Sequence, residues 1–126
     1  MVIGDIVITN ARLFPEKIGI VDEHNRLTWR QVNQRVNRLA NALLHLGLKK
    51  GERIVLLAEN CHEFAEVLFA VAKAGLIGTC LNHRFTPGKL AYMVTDCQPR
   101  VILTQDRFVT IANQIAQQAG YPTKLI

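Results

Sequence analysis

Hydrophobic positions along the chain recur with two different periods. Between Thr28 and Gly47 they fall at helical spacing, which predicts a long amphipathic helix. The positions concerned are Val32, Val36, Leu39, Leu43 and Leu46. In contrast, Arg53–Ala58 is continuously apolar after its first residue, which is typical of a strand covered on both faces.

Capping signals indicate where the predicted helices begin and end. Thr28, with Gln31 three residues later, forms a capping box at the start of the long helix. Gly47 suits the left-handed residue that closes it. Asn60 with Glu63 forms a second predicted capping box, ahead of a helix over residues 61–74.

The remaining elements follow from the same signals. We predict helices over 2–13, from Thr86-Pro87 to the residue before Pro99, and over 108–119, and strands over 17–22, 26–28, 77–81, 101–104 and from Thr123 onward. Ile77–Leu81 is expected to be a second buried strand. Strands that alternate with helices predict an α/β fold with a parallel sheet, in a Rossmann-like, three-layer arrangement, as a single domain over residues 1–126.

Composition and charge narrow the class of protein. Of the 126 residues, 49% are hydrophobic and 20% charged, which is a globular balance. No apolar run is long enough to span a bilayer, and Asp5 interrupts the apolar N-terminus, which argues against a secretory signal. Three widely spaced cysteines predict no disulfide framework. We therefore expect a cytoplasmic protein. The net charge of +5 is scattered apart from Lys49, Lys50 and Arg53, and no nucleic-acid-binding pattern accompanies it.

An ordered set of short segments resembles one superfamily. The matching segments are Pro15–Val21, Leu27–Trp29, Val36–Leu43, Leu46–Ile54, Glu59–Phe64, Ala74-Gly75, Leu81–Arg84, Thr86-Pro87 and Leu90. Together they cover nearly the whole chain, which resembles the N-terminal part of the adenylate-forming enzymes and, among these, fatty-acid and related carboxylic acid–CoA ligases. The resemblance implies a small-molecule acid, ATP, Mg²⁺ and CoA as ligands of the complete enzyme, which forms an acyl-AMP and passes the acyl group to CoA.

The segments that carry this chemistry in the family do not occur in the sequence. The family uses a Ser/Thr/Gly-rich loop ending in P-K-G, a metal-binding acid, a ribose-binding Asp and a C-terminal lysine, whereas the eight glycines here are dispersed. We therefore expect no catalytic residue, no metal ligand and no bound cofactor within this chain, and an inactive protein when it is alone.

Arg84 is the one candidate ligand-binding residue. In the family's P-L-N-P-R segment this arginine faces CoA phosphates in some CoA ligases, and a guanidinium can bind phosphate bidentately. The alternative is an arginine that caps a strand end or pairs with a neighbouring acid. Cys80 and His83 stand where the family commonly has prolines, which implies a less rigid loop around Arg84.

Other chemistry-bearing residues are better explained structurally. Cys61 and His62 with Cys80 and His83 lack paired zinc-ligand spacing, and both cysteines lie in or beside elements predicted to be buried. Cys61 at a helix start has no evident base for a thiol nucleophile. Trp29 is expected to be a packing anchor. Asn37 and Arg38 either bond to a neighbouring element or form a solvated face.

Two interpretations of the whole chain stay open, besides a less favoured third in which it is an independent, small flavodoxin-like ligand binder whose resemblance misleads. In the first it is the N-terminal portion of an AMP-forming ligase, whose partner is the remainder of the ligase chain, and the strand-like Thr123–Ile126 favours this as a truncated end. In the second it is a naturally short, non-catalytic binding or dimerisation module on the same scaffold, for which a homodimer is one form. The acyl substrate is not predicted by either.

Overall fold

The computed structural model describes residues 2–120 and 123–126. The chain divides into two units, Met1–Lys50 with Asn60–Leu76, and Gly51–Glu59 with Ile77–Ile126. Each unit is built around its own group of buried apolar side chains.

The first unit consists of three helices and one antiparallel hairpin. Its elements are α1 (Ile3–Leu13), β1 (Ile18–Val21), β2 (Arg26–Thr28), α2 (Trp29–His45) and α3 (His62–Lys73). Val7, Val32, Val36, Ala40 and Ala70 form its buried centre. These residues come from α1, α2 and α3, so Val32, Val36 and Leu39 of the predicted stripe lie on the face of α2 that packs against the other two helices. Leu46, the last residue of that stripe, is instead 44% exposed.

The predicted ends of α2 are confirmed. Thr28 Oγ1 accepts a hydrogen bond from the Gln31 N–H at 3.3 Å, and Gln31 Oε1 accepts one from the Thr28 N–H at 2.9 Å. Gly47, just beyond the last turn, has φ of +88°, a conformation that glycine adopts at little cost.

The predicted start of α3 is wrong. Cys61 occupies the cap position, and neither Asn60 nor Glu63 forms the capping box expected there. Instead, Asp22, in the turn between β1 and β2, accepts a hydrogen bond from the His62 N–H at 3.1 Å. A carboxylate from a distant segment therefore satisfies an N–H group that a local side chain was expected to satisfy.

The second unit is a four-stranded parallel sheet with two helices. Its elements are β3 (Arg53–Leu57), β4 (Ile77–Leu81), α4 (Pro87–Cys97), β5 (Val101–Thr104), a 3₁₀ turn (Asp106–Phe108), α5 (Val109–Ala119) and β6 (Lys124–Leu125). The strand order is β4-β3-β5-β6. This confirms the predicted α/β fold with a parallel sheet, including the strand after Thr123 and the Thr86 cap before Pro87.

The buried centre of the second unit joins the sheet to α4 and α5. Val55 and Leu57 of β3 meet Ile102 of β5, Leu90 of α4 and Ile115 of α5 there, and all five are fully buried. Ile54 and Leu56, on the opposite face of β3, are also buried. The prediction that β3 is covered on both faces is thus confirmed.

The prediction of a second buried strand is wrong for β4. Ile77 is 47% exposed, Gly78 and Cys80 are exposed, and only Leu81 is fully buried. The reason is the strand order: among the described strands, β4 has a neighbour on one side only.

None of the described helices has the length and apolar character needed to cross a membrane.

Candidate functional site

The carboxyl ends of the parallel strands mark the candidate site in the second unit. From β3 the chain passes to β4 on one side and then returns across the sheet to β5 on the other side of β3. In open α/β sheets, ligands bind outside the carboxyl ends at such a reversal of strand order. The segments that follow the strands here are residues 58–59, 82–86 and 105–108.

Side chains of the protein itself bridge the ends of β3 and β5. The Glu59 N–H donates to Gln105 Oε1 at 2.9 Å, and Thr104 Oγ1 donates to the carbonyl of Leu57 at 3.1 Å. Arg107 Nη1 lies 2.6 Å from Glu59 Oε2, in an ion pair whose members are both partly exposed. These contacts connect the segments after β3 and β5 at the reversal point.

Arg84 lies on a tight turn directly after β4. Asn82 Oδ1 accepts a hydrogen bond from the Arg84 N–H at 3.0 Å, and the Asn82 carbonyl accepts one from the Phe85 N–H at 3.0 Å. This is an Asx-type turn, in which an asparagine side chain holds the backbone two residues on. The Arg84 side chain is exposed and forms no ion pair with any residue in the ranges 2–120 and 123–126.

Neighbouring aromatic contacts border the Arg84 turn. The rings of His83 and Phe108 stack, with centroids 5.2 Å apart and planes inclined by 28°. The Arg107 guanidinium lies 5.2 Å from the Phe108 ring centroid, and Lys89 Nζ lies 3.9 Å from that of Phe85. In the sequence, His83 was weighed as a replacement for proline and as part of a discounted zinc site, and nothing there pairs it with Phe108.

A separate polar cluster in the first unit offers the donor types of a metal site. Asp22 Oδ2 lies 2.6 Å from His62 Nδ1, and Glu63 Oε1 lies 3.1 Å from His62 Nε2. The three ligand atoms lie within 4.8 Å of one another. The sequence does not indicate that these three residues lie together, since Asp22 is 40 positions from His62 along the chain.

The surroundings of this cluster do not suit Mg²⁺, the metal that the resemblance implies for the complete enzyme. Asp22 Oδ1 already accepts hydrogen bonds from the backbone N–H groups of His24 and Asn25, and Arg35 Nη2 lies 3.4 Å from His62 Nε2. Mg²⁺ prefers oxygen ligands in octahedral geometry, whereas here an imidazole and a guanidinium occupy the centre. The hydrogen bond from the His62 side chain, together with these N–H groups, holds the pKa of Asp22 well below its usual range. The cluster therefore stabilises the fold by joining the hairpin to α3 and α2.

Three further side-chain contacts join α2 and α3, and of these only the one at Asn37 was indicated by the sequence. Arg35 Nε lies 2.6 Å from Glu66 Oε1, and the Glu66 side chain is only 6% exposed. Lys73 Nζ donates to Asn33 Oδ1 at 2.8 Å and to Asn37 Oδ1 at 2.6 Å. The interpretation of Asn37 as a contact with a neighbouring helix is thus confirmed.

The other residues discounted from the sequence have structural surroundings. Trp29 packs against the buried centre of the first unit, as predicted. Cys61 lies in the first unit and Cys80 in the second, and partial desolvation raises the pKa of both thiols, which disfavours a thiolate nucleophile. The expectation that Cys80 lies in a buried element is wrong, because it faces outward from the edge strand β4.

Comparisons with known proteins agree with this architecture. The family model described as AMP-binding enzyme matches residues 7–125. A crotonobetaine/carnitine–CoA ligase of Escherichia coli O139:H28 (strain E24377A / ETEC) is 33% identical over 94 residues, which cover 75% of this chain and 18% of that protein. This chain thus spans less than a fifth of the length of that curated relative.

Solved structures of CoA ligases contain the same fold. A fatty acyl CoA synthetase of Mycobacterium tuberculosis superposes with a TM-score of 0.91 at 28% identity, over 99% of this chain and 26% of that one. The N-terminal domain of FACL13 from Mycobacterium tuberculosis gives a TM-score of 0.93 at 27% identity, over 100% of this chain and 33% of that one. Because the family model matches nearly the whole length of this chain, the chain belongs to the AMP-binding enzyme family.

Proposed function

We propose that this chain is the N-terminal part of an AMP-forming ligase that joins a carboxylic acid, of the fatty-acid or a related class, to CoA. The complete enzyme would activate the acid with ATP and transfer the acyl group from the acyl-AMP to the CoA thiol. The proposal is supported by the family match over residues 7–125 and by relatives whose names describe CoA ligases. Its location would be the cytoplasm.

Within this function, the role of the chain's own residues is to bind CoA through Arg84. The observation that carries this role is an exposed guanidinium, without an ion-pair partner among the described residues, at the carboxyl end of a parallel strand. A guanidinium without a competing carboxylate can bind a phosphate with two parallel hydrogen bonds. The Asx-type turn fixes the backbone of Arg84, so less freedom is lost on binding.

The phosphate-binding loop for ATP and the ligands for Mg²⁺ would come from outside this chain. The sequence has no glycine-rich loop, and the one three-residue cluster of metal-ligand type in the described chain is held by hydrogen bonds and by Arg35. The exposed edge of β4 supports the same view, since a further strand of the ligase would cover it.

Titration of the 126-residue chain with CoA tests the role of Arg84. We expect saturable binding of CoA, weaker binding of phosphate-free pantetheine, and a loss of about tenfold in CoA affinity for Arg84→Ala, the size of one charge-assisted contact. Arg38→Ala is the matched control, because it removes an exposed arginine from α2 in the other unit. Equal CoA affinity for the wild type and Arg84→Ala would contradict the proposed role.

A further inference from the structure

We propose that His83 and Phe108 are positioning residues for Arg84: their stacked rings hold the turn over residues 82–86 against the segment that follows β5. The inference rests on the proposed binding of a CoA phosphate by Arg84. It concerns two residues that touch neither the phosphate nor the reacting atoms in this scheme. They act through the backbone of the turn.

Contacts with the rest of the second unit are made on both sides of Arg84: Phe85 packs against the buried centre, and His83 stacks on Phe108. Within the turn, the hydrogen bonds are the two that Asn82 accepts, and both are local. Asn82, Arg84 and Thr86 are exposed, whereas His83 is half-buried and points to a ring in another segment. The ring contact of His83 therefore holds the turn on the side of Arg84 that Phe85 does not, directly after β4.

Phe108, the other member of that contact, is held in place by its own backbone and side chain. It is the last residue of the 3₁₀ turn and the cap residue of α5, and its N–H donates to the Gln105 carbonyl at 2.9 Å. Its side chain packs against the buried centre of the second unit. A ring held at both backbone and side chain can order the turn that stacks on it.

A second contact links the same ring to the end of β3. The Arg107 guanidinium lies 5.2 Å from the Phe108 ring centroid and is paired with Glu59. The segments after β3, β4 and β5 are thus joined through Phe108, at the reversal of strand order where the ligand is proposed to bind. In this arrangement the orientation of Arg84 depends on the stacking of His83 on Phe108 as well as on the conformation of its own turn.

The experiment compares His83 variants in CoA titrations of the 126-residue chain. We expect His83→Ala to weaken CoA binding about three- to tenfold, the range that corresponds to one aromatic pair, with little change in the urea midpoint. His83→Phe keeps a stacking ring without the imidazole nitrogens, so it should retain wild-type affinity. This rescue separates stacking from a hydrogen bond between His83 and the ligand.

Coupling to Arg84 supplies the decisive comparison. If His83 acts only through Arg84, then His83→Ala should cause no further loss of affinity in an Arg84→Ala background. The inference is overturned if His83→Ala binds CoA like the wild type, if His83→Phe fails to restore binding, or if the loss is as large without Arg84. Failure of the proposed function looks different, because Arg84→Ala itself would then leave CoA affinity unchanged.

Discussion

Replacement of Gly19 by alanine tests the packing of the hairpin against α2. A Cβ atom built on Gly19 would lie 2.6 Å from Cδ2 of Trp29 and 2.9 Å from its Cε2 and Cε3 atoms. These distances are far below van der Waals contact, so the indole would have to move. The Trp29 N–H donates to the Lys17 carbonyl at 2.9 Å, which ties the tryptophan backbone to the hairpin and limits that movement.

The expected cost follows from the size of this clash. One methyl group forced into a filled space typically destabilises a protein by about 1–3 kcal/mol. In a chain of this size, each kcal/mol lowers the melting temperature by about 4 °C. Gly88→Ala is the matched control: apart from its chain neighbours and the nearby backbone of α4, no atom lies within 4 Å of the added Cβ, and Gly88 is in the first turn of that helix. There, alanine should stabilise by about 0.5 kcal/mol through helix propensity.

Urea unfolding followed by tryptophan fluorescence measures both effects. Trp29 is the only tryptophan, so its emission reports on the contact that the substitution disturbs. We expect a lower midpoint and a shifted native emission for Gly19→Ala, and a slightly higher midpoint with unchanged emission for Gly88→Ala. A wild-type midpoint and emission for Gly19→Ala would refute the reasoning. Trp29→Phe, which shrinks the ring, should reduce the cost of Gly19→Ala; since this background has no tryptophan, its unfolding is followed by circular dichroism.

Three further predictions concern the first unit. Because the folded pKa of Asp22 is depressed, mainly by the hydrogen bond from His62, its contribution to stability is complete above the ordinary aspartate pKa and falls as the pH drops below about 4. Urea midpoints between pH 7 and pH 3 should therefore decline less steeply for Asp22→Asn than for the wild type. Thr28→Ala should lower the free energy of unfolding by about 1 kcal/mol through loss of the cap, and Thr28→Ser should restore most of it. Arg35→Ala leaves the buried Glu66 carboxylate unpaired and should cost about 1–3 kcal/mol in urea unfolding, more than removal of both side chains together.

Elements whose signals are local could be predicted from the sequence. The capping box of α2 involves residues three positions apart, and Gly47 closes the helix through its own backbone conformation. The same holds for Thr86 with Pro87 at the start of α4. The continuous run of apolar residues was sufficient to predict the burial of β3, since this prediction needs no knowledge of which elements cover the strand.

Features that depend on distant partners could not be predicted in this way. The first N–H groups of α3 need an acceptor, but the sequence does not show that Asp22 supplies it from the hairpin. Similarly, Ile77–Leu81 has the composition of a buried strand, yet its exposure depends on the order of strands in the sheet. A pattern along the chain specifies an element, whereas its neighbours are specified by topology.

The candidate site contains one residue whose role could be predicted from the sequence, Arg84, and an adjacent one whose contact could not, His83. Arg84 could be identified because a position directly after a parallel strand places it at the ligand-binding edge, whichever elements surround it. His83 was discounted as a zinc ligand and otherwise interpreted as a loss of rigidity, since in the sequence it replaces a proline. In the structure its ring stacks on Phe108, so the turn is restrained by a tertiary contact that a comparison of single positions does not reveal. A residue that departs from a family pattern therefore has to be judged by the contact it makes, and here that contact lies beside the residue proposed to bind the ligand.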